Sequence, residues 1–479
     1  MTLGHELFIL LAGICLAAAC CRSGDTESGL PESPVPGSTY LATGRAAPDS
    51  DTFRRLKASV DSIRLIDTHE HLTTEQLWLA QEVDLFYWFQ QPWFPQYAGA
   101  DLVSAGMPEE DLKFIGDPGR SPEERWARMA PWWPGAKYTG FGQALRIAAR
   151  EIHGVPDIDE STWGELSGRI AASKKPGFYH KVLHQMAGID LMVLDQIVLA
   201  DSFLAQGPPP RTVRVKRFDT SFISFDRQIL DSLSAELGSP LNSLDDLLAA
   251  MDKVFEDLLA KGYYVGLKNS MAYDRAIFFE DTPRPEAERV FGELLRRGEL
   301  TFEERRPLED FMMHRVVERA GRYGLPIQVH TGLQAGPGNT ITNSRPTLLI
   351  NLFQQYPETR FILFHGSFPY MGELATLAKN FRNVYLDFCW LPVISPTAAR
   401  LWLHQWLETV PANKIMAFGG DYLFPEGAYG HSRVARQVVA ETLAEKVESG
   451  YLSMAEAEQI ARMLLRENAI RLFRLERFL

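Results

Sequence analysis

The run Ile66-Asp67-Thr68-His69-Glu70-His71-Leu72 gives the strongest indication of the fold. It follows an amphipathic stretch that begins near residue 51, and its apolar start is typical of a buried β-strand with two histidines at its C-terminal end. Residues i and i+2 of a strand point to the same face, so both imidazoles can reach one ion. A His-x-His pair alone is a weak signal, because a strand-end histidine is often a packing residue.

Three more candidate side chains stand at the ends of short apolar runs downstream. His330 ends Pro-Ile-Gln-Val-His, His365 ends Phe-Ile-Leu-Phe-His, and Asp421 follows Met-Ala-Phe-Gly-Gly. The C-terminal ends of parallel strands meet on one face of a β/α barrel. We therefore expect His69, His71, His330, His365 and Asp421 to converge on a divalent metal that can activate water.

Eight short apolar runs alternate with helical patterns along the chain, which predicts an α/β fold, the (β/α)₈ TIM barrel. The predicted strands are 64–68, 190–195, 213–218, 263–268, 326–330, 360–365, 383–387 and 414–418. Two of the clearest predicted helices cover 243–261 and 301–323. An open doubly wound sheet is disfavoured because no glycine-rich phosphate loop follows the first strand.

The long connection after the first strand predicts a helical insertion over residues 73–188 of a barrel domain that spans 51–479. Most of the chain's ten tryptophans lie in this stretch. Since it follows the first strand, the insertion should emerge on the catalytic face. It could form a lid or wall over the site, or equally a helical subdomain with its own aromatic core.

The composition is that of a globular protein, with 46% hydrophobic and 23% charged residues. The net charge of −12 argues against binding to nucleic acid, so we expect a small-molecule substrate as the partner. Self-association into a homo-oligomer is left open. Past the N-terminal region, Cys389 is the single cysteine, which leaves no disulfide framework and no cysteine-based zinc site there.

The N-terminus predicts export. Residues 7–19 form an uncharged apolar run followed by Cys20, which resembles a signal peptide of the lipoprotein type over residues 1–20. Residues 21–50 have the composition of a flexible linker. We expect a periplasmic or lipid-anchored protein at a bacterial cell envelope, with membrane contact only through that anchor. The leader has no Lys or Arg before the apolar run, so a cytoplasmic enzyme with an N-terminal extension is the alternative.

The order His-x-His, His, His, Asp resembles the amidohydrolase superfamily. The phrases Asp-Thr-His-Glu-His-Leu, Leu-Pro-Ile-Gln-Val-His-Thr-Gly and Ala-Asn-Lys-Ile-Met-Ala-Phe-Gly-Gly-Asp resemble its amidohydrolase-related (amidohydrolase 2) branch. That branch includes the amidohydrolase half of glutamine-synthetase fusion proteins and is related to the uronate isomerases. The resemblance covers roughly residues 55–479 and implies a metal-dependent barrel with one or two divalent ions, zinc first and manganese or iron as alternatives.

The resemblance also implies roles for the five strand-end residues. His69, His71 and Asp421 correspond to ligands of a primary metal, and His330 to the ligand on the fifth strand. His365 corresponds to a histidine that is either a ligand of a second metal or a catalytic acid/base. Asp421 would also take a proton from the activated water.

Lys268 ends the predicted fourth strand and has three interpretations. The resemblance implies a carbamylated lysine that bridges two metals, so that His330 and His365 bind the second ion. An unmodified ammonium could instead bind a substrate carboxylate as a point charge. A solvated strand-end lysine with no chemical role is the third interpretation.

Several lesser candidates lie near these positions. Asp387 and Trp390 end the seventh strand and could line the pocket, or Asp387 could orient a ligand. Arg275 and Tyr273 could contact an anionic substrate or lie at the surface, and His431 is expected in a loop. The remaining histidines fall in helical patterns and are assigned no chemistry: His153, His180, His184, His314 and His404.

The leading hypothesis is hydrolysis of an amide-type C–N bond or an ester bond in a small molecule by metal-activated water. Asp421 and His365 would handle protons. Other reactions on the same scaffold are aldose–ketose isomerisation of a uronate and non-oxidative decarboxylation. A non-enzymatic, metal-containing binding protein is a further alternative, which the complete set of ligand residues disfavours.

Overall fold

Eight parallel strands form the central sheet, and each pairs with the next along the chain, from β1 to β8. The strands are β1 (Leu65–Glu70), β2 (Ile189–Leu194), β3 (Thr212–Arg217), β4 (Tyr264–Asn269), β5 (Ile327–Val329), β6 (Phe361–Leu363), β7 (Val384–Asp387) and β8 (Ile415–Met416). The structure is a computed structural model that describes residues 50–92, 94–195, 210–224 and 226–479. The expected leader, Cys20 and almost all of the expected linker lie outside the described residues.

Backbone hydrogen bonds join the last strand to the first beyond the ends of the ladders. Thr68 N donates to Phe418 O at 3.2 Å, His71 N to Tyr422 O at 3.1 Å, and Asp421 N to His69 O at 2.9 Å. The sheet is therefore a (β/α)₈ TIM barrel, and the predicted fold class is confirmed.

The observed strands are shorter than predicted at three positions. Strands β5, β6 and β8 each end before the residue that the sequence placed at the strand end. At two of these ends the backbone leaves the ladder by a left-handed turn: φ is 59° at His365 and 58° at Asp421. Strand β3 contains three basic residues and still belongs to the barrel. One of them, Arg214, lies buried within the strand.

Nineteen α-helices lie among the described residues. They are α1 (Asp51–Ser62), α2 (Glu75–Ala80), α3 (Tyr97–Ser104), α4 (Glu109–Ile115), α5 (Pro122–Met129), α6 (Trp133–Ala136), α7 (Gly140–Glu151), α8 (Trp163–Ser173), α9 (Arg227–Leu237), α10 (Leu244–Lys261), α11 (Arg284–Arg297), α12 (Phe302–Tyr323), α13 (Ile350–Gln355), α14 (Met371–Asn380), α15 (Leu391–Ile394), α16 (Pro396–Thr409), α17 (Pro425–Glu448), α18 (Met454–Arg462) and α19 (Asn468–Phe473). Short π-helical turns cover His180–Met186, Asp219–Ile223 and Met463–Glu467. No helix in the described part of the chain is long and apolar enough to cross a membrane.

The two helices singled out in the sequence are confirmed to within one residue, because their caps are encoded locally. The Ser243 hydroxyl accepts from Asp246 N at the start of α10, and Thr301 forms a capping box with Glu304 at the start of α12. Both helices end at a glycine in the left-handed conformation, as expected for a C-terminal cap.

Helices α2–α8 and a two-stranded ribbon (Gln90–Gln91 with Phe94–Pro95) connect β1 to β2. The packing of the insertion agrees with both expectations, a helical subdomain with its own aromatic core and a wall over the site. Trp126 stacks on Trp163 at 5.4 Å inside the insertion, whereas Trp88 stacks at 6.2 Å on Phe424, which follows β8. The insertion therefore has aromatic packing of its own and also covers the C-terminal face of the barrel.

A separate apolar cluster fills the barrel below the site. It includes Ile66, Val213, Ile362 and Met416 from the strands, together with Phe473 of α19. The C-terminal helix thus contributes to the interior core, and the polar candidate residues lie at the other end of the strands.

Candidate metal centre

His69 is held in one tautomer by Gln328 of β5. Gln328 Nε2 donates to Thr68 O at 2.7 Å, so its Oε1 must be the atom 3.0 Å from His69 Nδ1. An amide oxygen only accepts, so His69 Nδ1 donates and Nε2 keeps its lone pair. That Nε2 is buried and has no hydrogen-bond partner among the described residues. Burial, with the charge of Lys268, lowers the pKa of His69, which keeps the ring neutral.

His71 presents its Nε2 to the same point. Its Nδ1 lies 2.6 Å from the backbone carbonyl of Asp195, which fixes the proton on Nδ1. Asp421 Oδ1 lies 3.1 Å from His71 Nε2 and 3.7 Å from His69 Nε2. Two imidazole lone pairs and one carboxylate oxygen therefore converge, which is the donor set of a divalent metal site.

Asp421 is fixed by its backbone rather than by a strand. Its φ of 58° is uncommon for a residue with a side chain, and such conformations persist when the surroundings impose them. Two contacts impose this one: Asp421 N donates to His69 O at 2.9 Å, and the Tyr97 hydroxyl of α3 donates to Asp421 O.

Charge around Asp421 favours its ionised form. Burial alone would raise the pKa of this carboxyl, but the polar and charged groups around it, Lys268 among them, lower the pKa below its ordinary value. A deprotonated carboxylate at neutral pH can bind a cation and accept a proton.

Beneath the loop that carries Asp421 lies a buried pair of acids, Asp67 and Glu70. Asp67 Oδ1 accepts from Gly420 N at 3.0 Å, and Glu70 Oε2 accepts from Tyr422 N at 2.8 Å. Burial raises the pKa of Asp67 to about 7 and that of Glu70 as well, so one proton shared between them satisfies the two oxygens that face each other. A Cβ at position 420 would lie 1.7 Å from Glu70 Oε1, so only glycine fits there.

His330 and His365 form a second pair of converging donors. His365 Nδ1 donates to Cys389 O at 2.8 Å and His330 Nε2 donates to Leu333 O at 3.0 Å. The remaining nitrogens, His365 Nε2 and His330 Nδ1, then face each other at 3.0 Å. Burial lowers the pKa of His330 and lowers that of His365 to about 4, so both rings are neutral and neither has a proton to place between them.

Two lone pairs facing each other at this distance fit a shared cation. Nitrogen ligands about 2.1 Å from one tetrahedral ion lie about 3.4 Å apart, so the observed 3.0 Å is only slightly shorter than a shared ion requires. His330 and His365 therefore match the ligands of a second ion, as the binuclear interpretation of the sequence expects.

Lys268 is the last residue but one of β4 and lies close enough to Asp195 and Asp421 to feel their charges. Its side chain is buried, with Nζ 4.1 Å from the centroid of the Phe364 ring, and the described residues give Nζ no hydrogen bond. Burial lowers the pKa of Lys268, and the charges of Asp195 and Asp421 oppose that shift only in part. The solvated strand-end interpretation is therefore wrong: the lysine is desolvated and faces the site.

Asp195 is a site residue that the sequence analysis missed. Its Oδ2 lies 3.7 Å from His69 Nε2, and its carboxylate pairs with Arg217 at 2.6 Å. Burial would raise the pKa of Asp195, but the Arg217 charge holds it below its ordinary value. The sequence does carry a signal for Asp195, because this residue ends a predicted apolar strand, as the five candidate metal ligands do.

The lesser candidates divide into two groups. Trp390 lies at the site, with its ring 5.1 Å from that of His365, and Tyr273 lies 4.7 Å from the ring of His330. Asp387 Oδ1 accepts from Cys389 N at 2.8 Å, and burial raises the pKa of this carboxyl to about 7, so it supports the β7 end rather than contacting a ligand directly.

Three expectations outside the site are wrong. Arg275 is buried in ion pairs with Glu309 at 2.9 Å and Asp310 at 2.6 Å, so it contacts neither substrate nor surface. His431 belongs to α17 rather than to a loop, and its Nδ1 donates to Gly420 O at 2.9 Å. His153 lies just past the end of α7 and is buried against the barrel.

The sequence is similar to a known family and to a known protein. A family model described as amidohydrolase matches residues 265–475. Protein fluG of Emericella nidulans is 25% identical over 353 residues, which cover 68% of this chain and 40% of that protein, so the chain spans about two fifths of its relative's length.

Three solved structures share the fold. Uronate isomerase from Thermotoga maritima has a TM-score of 0.73 at 16% identity and covers 88% of this chain and 97% of its own. Glucuronate isomerase from Caulobacter crescentus has a TM-score of 0.73 at 20% identity, covering 89% and 94%. A metal-dependent hydrolase from Lactobacillus casei has a TM-score of 0.62 at 17% identity, covering 88% and 98%.

The barrel, the converging donors and these matches support the amidohydrolase superfamily. Residues 265–475 match the amidohydrolase family model, and the chain shares its fold with uronate isomerases. The match supports an enzyme with a divalent metal site, and the solved structures that share the fold are named as hydrolase and as isomerases.

Proposed function

We propose that the protein is a metal-dependent hydrolase that cleaves an amide-type C–N bond or an ester bond of a small molecule. His69, His71 and Asp421 hold the first divalent ion. The observation that supports this most directly is the approach of Asp421 Oδ1 to His71 Nε2 and His69 Nε2, at 3.1 and 3.7 Å. Zinc suits this donor set best, with manganese and iron as alternatives.

A bound ion at this position polarises a carbonyl and lowers the pKa of water. Asp421 then acts as the proton carrier: its carboxylate, ionised at neutral pH, takes the proton of the attacking water and delivers it to the leaving nitrogen or oxygen. His365 Nδ1 lies 3.8 Å from Asp421 Oδ2, so this ring borders the carboxylate. The Tyr97 hydroxyl fixes the backbone that carries it.

We propose that Lys268 is carbamylated and bridges two ions, with His330 and His365 on the second. Carbamylation requires a neutral amine, which the lowered pKa of this buried lysine supplies. The alternative is an unmodified Lys268 that binds a substrate carboxylate as a point charge.

Metal content and isotope labelling separate these two cases. With the protein prepared in ¹³C-bicarbonate, a carbamate carbon resonance and two ions per chain are expected. Lys268→Met should lose the resonance and one ion, whereas Lys379→Met, at an exposed position of α14, should keep both. One ion per chain with no carbamate resonance would reject the bridge.

The second candidate function is isomerisation of a uronate, with non-oxidative decarboxylation as a further reaction on the same scaffold. Two observations favour the isomerase. Uronate isomerases share the fold at a TM-score of 0.73, and two cationic side chains, Lys268 and Arg217, lie beside the donors where a sugar acid would bind.

A substrate panel decides between the reactions. Metal-reconstituted protein is assayed with N-acyl, γ-glutamyl, ester and uronate compounds. Release of an amine or alcohol supports the hydrolase, and conversion of uronates alone overturns it. If the metal-loaded protein converts none of these compounds, the non-enzymatic alternative is favoured.

We also propose that the chain is exported and lipid-anchored through Cys20, on the grounds of the apolar run before it. Cell fractionation of the Cys20→Ser variant tests this. Release from the membrane fraction is expected, and an unchanged distribution rejects the anchor.

A further inference from the structure

A second group of buried polar side chains lies between the insertion and the start of α17. We call it the Glu426 cluster: Glu426 of α17, with Tyr87, Trp88 and His153 of the insertion. Glu426 and Trp88 are 0% exposed, Tyr87 is 3% and His153 is 7% exposed. None of these residues takes part in the metal centre.

The carboxylate of Glu426 lacks a partner. Neither oxygen has a hydrogen bond within the described part of the structure, and the same holds for Tyr87 OH, Trp88 Nε1 and His153 Nε2. His153 Nε2 lies 3.6 Å from Glu426 Oε1, which is beyond hydrogen-bond distance. Burial of a carboxylate without hydrogen-bond donors is strongly unfavourable, so the site is built for a group that supplies them.

The helix end compensates Glu426 only in part. As an early residue of α17, Glu426 benefits from the positive end of the helix dipole. The dipole supplies no hydrogen bond to either carboxylate oxygen. Both carboxylate oxygens of Glu426 therefore still lack a hydrogen-bond donor among the residues that the structure describes.

The surroundings favour a cation over a neutral or anionic group. Trp88 lies 5.7 Å from the ring of His153 and stacks on Phe424, so aromatic rings surround the histidine beside the carboxylate. Burial raises the pKa of Tyr87, and the Glu426 charge adds to the shift, so the phenol stays neutral and offers an oxygen lone pair. A primary ammonium has three donors and is attracted by carboxylate, phenol oxygen and aromatic face alike.

The cluster borders the catalytic face of the barrel. Glu426 follows Asp421 by five residues, and Phe424 and Tyr422 between them are in edge contact at 5.5 Å. Tyr422 O accepts from His71 N, so the segment that leads to Glu426 begins at the metal centre.

We propose that the Glu426 cluster is a substrate subsite that binds a primary ammonium group, so that the preferred substrate is an amide or ester with a free amine remote from the scissile bond. The substrate class rests on the proposed function, whereas amine binding can be measured without turnover.

Direct binding of a probe amine tests the subsite. Butylammonium chloride is titrated into the metal-loaded protein by calorimetry, with 1-butanol as the neutral probe of similar shape. Saturable binding of butylammonium alone is expected, and Glu426→Gln should weaken it at least 10-fold. Glu448→Gln, at the exposed end of the same helix, should leave it unchanged.

The fold of the variants is monitored by thermal unfolding. Glu426→Gln removes an unpartnered charge, so its Tm should equal or exceed that of the wild type. If the variant fails to fold, Tyr87→Phe replaces it, and a several-fold weaker butylammonium affinity is expected. A protein in which Glu426 only forms a buried ion pair with His153 would give no saturable amine binding and a lower Tm for Glu426→Gln, and either result overturns the subsite.

Turnover separates this proposal from the hydrolase. Amide pairs that differ only in a terminal ammonium or methyl group should differ in KM, with the difference lost in Glu426→Gln and kcat retained. If no amide or ester is hydrolysed, the proposed hydrolase function is rejected. The calorimetric result alone then decides whether the subsite exists. Equal KM values for each pair overturn the assigned substrate class.

Discussion

Gln328 and His69 form a hydrogen bond of 3.0 Å whose direction is fixed, because the other end of the amide is committed to Thr68 O. A single buried amide on β5 therefore decides which nitrogen of a histidine on β1 faces the ion. Side chains that orient a metal-bound histidine in this way contribute strongly to metal affinity.

Replacing Gln328 should weaken metal binding without unfolding the barrel. Gln328→Leu lets the His69 ring reorient, and we expect a 10–100-fold lower affinity in a chelator competition. Gln328→Glu keeps an acceptor for His69 Nδ1 but loses the donor to Thr68 O, so its affinity should fall between those of Gln328→Leu and the wild type. Gln355→Leu, at an exposed position, is the control. Equal affinity of Gln328→Leu and wild type would contradict the assigned role.

Asp421→Asn should stop turnover and leave the fold intact. The amide cannot carry the proton, so kcat should fall by about 10²–10⁴-fold. Asparagine tolerates the φ of 58° better than most residues, so the Tm should change little. Steady-state kinetics and thermal unfolding check the two parts, and an unchanged kcat would remove Asp421 from proton transfer.

Tyr97→Phe should act on catalysis through Asp421. It removes only the hydroxyl that donates to Asp421 O, a bond worth about 1 kcal/mol. We expect kcat to fall up to about 10-fold while the metal content stays at the wild-type value. Parallel measurement of kcat and bound metal decides the point, since loss of metal would indicate a ligand defect instead.

Asp101→Asn should change how stability depends on pH. Burial raises the pKa of Asp101 from 3.8 to about 6, and the hydrogen bond from Thr139 opposes this only in part. The folded state therefore binds a proton more tightly than the unfolded chain, and stability is lost as pH rises from about 4 to about 6.

The asparagine variant lacks this loss. Above pH 6 its free energy of unfolding should exceed that of the wild type by at most about 3 kcal/mol, and the gap should close below pH 4. Chemical unfolding at pH 4, 5, 6 and 7 measures it. A gap that does not vary with pH would be inconsistent with the raised pKa.

The positions that sequence patterns identify are those at which an apolar strand ends in a polar ligand. His69, His71, His330, His365 and Asp421 were identified in this way, and the barrel follows from the alternation of such strands with helices. Asp195 ends a strand as well, but nothing near it in the sequence marks it as a partner of Arg217. That pairing appears only when β2 and β3 become neighbours.

Other site features depend on contacts across the fold. Gln328 lies inside a strand, where a polar residue has no local signature of a hydrogen bond to His69. Tyr97 and His153 come from the insertion, whose path over the barrel is set by tertiary packing rather than by periodicity. The conformation of Asp421 could not be predicted from the sequence either, because its left-handed φ is imposed by contacts with His69 and Tyr97.

The bond from Tyr97 to the backbone of Asp421 limits how this scaffold can be re-engineered. A minimal barrel from which residues 73–188 are excised would lose the anchor of its own proton carrier, even though every strand remained. Transplanting the reaction centre into another barrel would require α3 to be grafted with it. The polypeptide between β1 and β2 is thus inseparable from the active protein.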